Sequence, residues 1–145
     1  MTVEEVREKA LKIIPAIGRE LKLAMWEIDL TVEEEDPEGL GYQGVVQAYD
    51  EYEKAHIVLY AENIDDDAEL VRVLIHEMTH VLIAPVFRMI EMNNGLGELL
   101  GYAAEKTTLR VERVLNALGL YDRILAELGG EHEAATTRAS EQPEV

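Results

Sequence analysis

The sequence predicts an α+β fold, on three observations. Apolar residues recur at helical spacing in the first two dozen positions, short β-prone runs lie between residues 26 and 60, and two longer helical stretches follow residue 65. The chain has 145 residues and is 48% hydrophobic, enough for one compact domain to bury about two-thirds of its unfolded surface. One domain over 1–130 is therefore expected. The acidic stretch from Glu131 to Val145 has little to bury and is expected to be a disordered tail.

Thr2, followed by Glu4 and Glu5, is a helix-start signal, and Val6, Leu11, Ile14, Ile17 and Leu21 follow near helical spacing. The first helix is expected to bend or break at Pro15. From Trp26 to Val32, "WEIDLTV" alternates large apolar and acidic residues, the period of a half-buried strand. "EEEDPEGLGYQG" reads as a loop rich in glycine and acid. "VVQAY" (Val45 to Tyr49) and "AHIVLY" (Ala55 to Tyr60) flank a short polar segment and read as a hairpin, giving three strands in one small, mostly antiparallel sheet.

Asp65 or Asp66 can cap a helix that runs to Ala84, with Pro85 marking its end. A second long helix is expected from about Leu96 to Leu118, closed by Gly119, and a short last helix over "YDRILAEL" ends before Gly129 and Gly130. Met78, Met89 and Met92 read as core filler, and His56 as a half-buried strand residue.

Composition narrows the functional classes. With no cysteine there is no disulfide framework and no thiolate ligand, so any metal must be held by histidine and carboxylate. A formal net charge of −17 repels a phosphate backbone, which argues against a nucleic-acid partner. An acidic start and the lack of an apolar run near the roughly 20 residues of a membrane span lead to the expectation of a cytoplasmic protein without a membrane partner.

The chemistry concentrates in "VRVLIHEMTHVLIAP", residues 71–85. On a helix, positions four apart project from one face, so His76 and His80 can both reach one ion. Zinc accepts neutral imidazole nitrogen, and a catalytic zinc keeps three protein ligands and a water. Glu77 stands beside the pair, where its carboxylate can take a proton from that water as general base. From the chain's own composition, the spacing H-E-x-x-H arises by chance about 0.01 times, so two core histidines without a metal are the lesser alternative. Two histidines and a carboxylate also suit iron(II).

The motif "HEMTH" at residues 76–80 resembles that of the zincin metalloproteases. Together with "VERVLNAL" downstream, it is similar to the small single-domain metallopeptidases of phage and mobile elements, over roughly residues 20–120. The resemblance implies a minimal zincin-like fold in which a further helix supplies the third zinc ligand, and hydrolysis of a peptide or protein substrate. No third histidine follows at the short metzincin spacing, so a glutamate is expected, as in gluzincins.

Glu98, Glu105 and Glu112 lie seven apart along one helix face, about 10 Å from one another, so only one is expected to reach the zinc. Glu112 is favoured, because it precedes "RVLNAL" and because Asn116, one turn on, can orient a ligating histidine. Glu105 is the rival, since the gap from His80 to Glu112 is longer than in the best-known gluzincins, and Glu98 reads as a solvated face.

Ala55 to Tyr60 is the strand expected to pair with an extended peptide. Tyr42, Tyr49, Tyr52 and Tyr60 read as sheet packing, with a role at an oxyanion as the alternative. The alternative to a peptidase is a binding or regulatory domain that uses zinc as a staple, its site closed by a fourth ligand such as His132.

Overall fold

A computed structural model describes the backbone of residues 1–94 and 97–139 and the side chains of 1–90 and 101–129. Helix α1 (Val3–Glu20) begins with a capping box: Thr2 Oγ1 accepts the Glu5 amide at 3.2 Å, and the Glu5 carboxylate accepts the Thr2 amide at 2.8 Å. Val6, Ala10, Ile13, Ile14 and Ile17 form its buried face. Leu11 stands outside that face and is 57% exposed, and Pro15 lies on the same solvent side. The carbonyl of Leu11, which Pro15 cannot satisfy, therefore faces water, and the helix continues without the expected break.

The strands β1 (Glu27–Glu33), β2 (Gly44–Tyr49) and β3 (Lys54–Tyr60) form one sheet in the order β1-β3-β2. β2 and β3 make the expected hairpin, Val46 opposite Ile57, through a 3₁₀ turn at Asp50–Tyr52 and a left-handed Glu53 at φ 51°. The expectation of a mostly antiparallel sheet needs correction, because β1 pairs with β3 in parallel, Leu30 opposite Ile57. The cause is strand order. The loop after β1 carries the chain to the outer edge of the sheet, so the returning strand of the hairpin becomes the neighbour of β1 and runs the same way. β3 is consequently central and β2 is a free edge.

Helix α2 (Asp67–Asn94) is capped by Asp66, whose Oδ1 accepts the Glu69 amide at 2.8 Å. It does not end at Ala84 but passes through Pro85, losing one backbone hydrogen bond and continuing against α3 (Gly97–Ala117). Leu70, Val71, Leu74, Ile75, Met78 and Val81 of α2 meet Ile57 and Leu59 of β3 and the buried face of α1 in one core. Met89 lies outside it, 67% exposed, and the side chain of Met92 is outside the described residues.

Gly119, at φ +78°, closes α3 as expected. Helix α4 (Leu120–Ala139) then seats Leu120 and Ile124 in the core. It runs on through Gly129 and Gly130, which weaken a helix by roughly 1 kcal/mol each without forbidding it. The helix as described includes residues 131–139, within the stretch expected as a tail, and 140–145 lie outside the described residues.

The segment Asp67–Ile90, 24 residues long, reaches the length of a membrane span and contains an 18-residue window of mean hydropathy 1.5, contrary to the expectation that no run does. Half of that window is buried inside the fold, the pattern of a core helix.

Candidate metal centre

The third and fourth turns of α2 carry His76, Glu77 and His80, and the two histidines face α3. The inner face of α3 answers with Glu105, Thr108 and Glu112, spaced three and four apart so that they stack on one side of that helix. The two histidines share a geometry. Their Nε2 atoms approach to 3.2 Å, and their rings meet edge to face at 80°. The Glu105 carboxylate closes the triangle, Oε2 at 3.3 Å from His80 Nε2 and Oε1 at 3.6 Å from His76 Nε2.

Each Nδ1 atom, on the far side of its ring, has its own partner. His76 Nδ1 lies 3.1 Å from Glu112 Oε2, and His80 Nδ1 lies 3.0 Å from the Thr108 hydroxyl. A carboxylate only accepts, so His76 donates its Nδ1 proton to Glu112, which leaves the Nε2 lone pair facing His80 and Glu105.

These donors fit a tetrahedral divalent ion. With metal–ligand bonds of about 2.0–2.2 Å, the edge between two ligands is roughly 3.3–3.5 Å, close to the 3.2 Å between the Nε2 atoms and the 3.3 Å from His80 Nε2 to Glu105 Oε2, while the other carboxylate oxygen makes the 3.6 Å approach to His76. Among the described residues, His76, His80 and Glu105 are the group of three whose donor atoms all lie within 4.8 Å of one another. Glu112 serves the same imidazole from behind, the place of a group that fixes a ligand's tautomer and orientation. Both glutamates therefore touch His76, because an imidazole offers a nitrogen on either side. Asn116, expected to orient a histidine, leaves its buried Oδ1 without a hydrogen-bond partner.

The electrostatics follow from the same contacts. The hydrogen bond to Glu112 raises the pKa of His76, while burial and the neighbouring His76 lower that of His80. Burial pushes the Glu77 carboxyl up to about 7, against the opposing pull of His76. Glu77 is 6% exposed and lines both cavities beside the centre.

The larger cavity, about 740 Å³, runs between β2 and the second half of α2, with Val46, Ala48, Ile83 and Phe87 among its apolar walls. The smaller, about 340 Å³, lies towards Arg72, Leu109 and Glu112. Tyr42, Gly44, His76 and Glu77 line both. His56 stands apart on β3, hydrogen-bonded to Thr31 Oγ1 at 2.8 Å. The side chains of Glu98 and His132 lie outside the described residues.

Compared with protein-family models, curated proteins and solved structures, the chain matches none.

Proposed function

We propose that this protein is a zinc-dependent peptidase in which His76, His80 and Glu105 hold the metal and Glu77 is the general base. The observation that carries the reading is the convergence of two imidazole nitrogens and one carboxylate within 4.8 Å of one another, each histidine held from behind, beside a cavity lined by a buried carboxyl. In this reading Glu112, favoured from sequence as third ligand, instead orients His76, and Glu105 takes the coordinating place.

Zinc held there supplies Lewis acidity, acidifying water to a pKa of about 7 and polarising a carbonyl. Glu77, with a carboxyl already poised near neutrality, accepts the proton of the attacking water and returns it to the leaving amine. An extended substrate is best served by β2, the edge strand that lines the larger cavity, because β3 is hydrogen-bonded on both sides.

The test is cleavage of a quenched-fluorescence peptide library by the zinc-loaded protein and by Glu77→Gln. The wild type is expected to cleave, and the variant to keep its zinc while losing about 10²- to 10⁴-fold in rate. Equal rates contradict the mechanism. One zinc per chain with no cleavage by either protein favours the alternative of a zinc-stapled binding domain.

A further inference from the structure

The loop between β1 and β2 is built around a buried carboxylate that the proposed chemistry does not use. Asp36 is 6% exposed, and its two oxygens accept three backbone amides: Glu38 on Oδ1 at 3.0 Å, and Leu40 and Tyr42 on Oδ2 at 2.9 and 3.1 Å. Its own amide is tied to Glu62 Oε1 at 2.8 Å, and its carbonyl accepts the Gly39 amide at 3.0 Å. Burial pushes this carboxyl up, but the backbone amides together outweigh burial and hold it below its ordinary value.

The far end of the loop is fastened as firmly. Asn63 Nδ2 donates to the Tyr42 carbonyl at 2.8 Å, the Tyr60 amide donates to the Gln43 carbonyl at 3.0 Å, and Gln43 Nε2 reaches the Asn63 carbonyl and Glu69.

What this holds in place is Tyr42. Its side chain is 47% exposed, yet it lines both cavities where they meet, alongside His76 and Glu77. Tyr49 and Tyr52 are also exposed but line neither cavity. A ligand chain that occupies both cavities passes the residues they share, Tyr42, Gly44, His76 and Glu77. Asp36 lines neither.

Resting on the peptidase reading, we propose that Tyr42 is a substrate-contacting residue at the junction of the two cavities and that Asp36 is its positioning residue. The substrate class this favours is a peptide with an apolar side chain directed to the Val46, Ile83 and Phe87 wall and its backbone laid against the Tyr42 ring. Asp36 acts only through Tyr42, so its effect on binding depends on the tyrosine being present.

The experiment is a double-mutant cycle with N-acetyl-leucine hydroxamate, whose hydroxamate chelates zinc and whose side chain suits the apolar wall. Affinity and zinc content are measured for zinc-loaded wild type, Tyr42→Ala, Asp36→Asn, the double variant and Tyr52→Ala. Tyr42→Ala and Asp36→Asn are each expected to weaken the probe roughly tenfold, the size of one lost aromatic contact. The double variant should be no weaker than Tyr42→Ala, with zinc content unchanged throughout and Tyr52→Ala equal to wild type.

Unaltered affinity in Tyr42→Ala, or losses that add in full, overturn the proposal. Should Asp36→Asn fail to fold, Glu62→Ala removes the acceptor of the Asp36 amide in the same loop and takes its place in the cycle. Failure of the peptidase reading looks different: wild type then holds no zinc, or holds zinc and ignores the hydroxamate, which removes this proposal with it.

Discussion

The two glutamates on α3 contact one imidazole from opposite sides, and this distinction decides what each does. Glu105 faces the Nε2 atoms and is 48% exposed, whereas Glu112 is 13% exposed and faces Nδ1 of His76. Glu105→Ala should therefore abolish zinc binding at micromolar metal. Glu112→Ala should still take up one zinc at saturation, with affinity reduced about 10- to 100-fold. A competition titration against a chelating dye separates these results, and the reverse pattern would restore Glu112 as the ligand.

The motif residues were legible because they are local: four positions on any helix bring His76 and His80 together. The sorting of the glutamates was not, because it depends on how α3 lies across α2. Sequence spacing points to an orienting group one turn after the ligand, where Glu105 has Leu109. The orienting groups are Thr108 and Glu112, three and seven positions on, each serving a different ring.

At the scale of elements, the edge strand is placed against α2 by the absence of a side chain. A Cβ on Gly44 would come within 3.0 Å of Leu59 Cδ2 and 3.2 Å of both the Val58 carbonyl oxygen and Val73 Cγ1. Gly44→Ala should push β2 outward and lower stability by about 1–3 kcal/mol, read as a fall in the denaturation midpoint; an unchanged midpoint would mean that the strand has room to give. Gly119→Ala should cost about 1–2 kcal/mol through its left-handed backbone alone, since the nearest atom to its Cβ is the flexible Arg123 guanidinium at 3.4 Å.

Helix and strand identities were readable from periodicity, and the helix start at Thr2 and the Gly119 stop from residue type. The parallel pairing of β1 with β3 was not, because "EEEDPEGLGYQG" says that the chain turns without saying on which side of the hairpin it arrives. Pro85 misled for a related reason. A single missing N–H is a local deficit, and contacts with α3 and β2 along the same helix outweigh it.

For the whole molecule, metal and proton both bear on stability. If zinc binds only the folded chain, adding it at a thousandfold over its dissociation constant contributes about 4 kcal/mol, and a chelator should lower the thermal midpoint accordingly. A chelator-insensitive midpoint would speak for a fold that does without the ion.

Asp36 adds an acid limb in the zinc-free protein. Its carboxyl is held below the ordinary 3.8, so its contribution is complete above that pH and disappears as pH falls through the lower folded value. Asp36→Asn should accordingly flatten the loss of stability as pH falls below about 3.8, measured by urea denaturation in chelator; parallel curves for the two proteins would deny the loop carboxylate that role.

The peptidase reading stands on the facing Nε2 atoms of His76 and His80 being a metal centre and not merely a packed pair of imidazoles. The most direct measurement is elemental analysis of wild type and His76→Ala after incubation with zinc and removal of the excess. Near one zinc per chain in wild type and none in the variant is the predicted result. No zinc in wild type, or equal zinc in both, would contradict it.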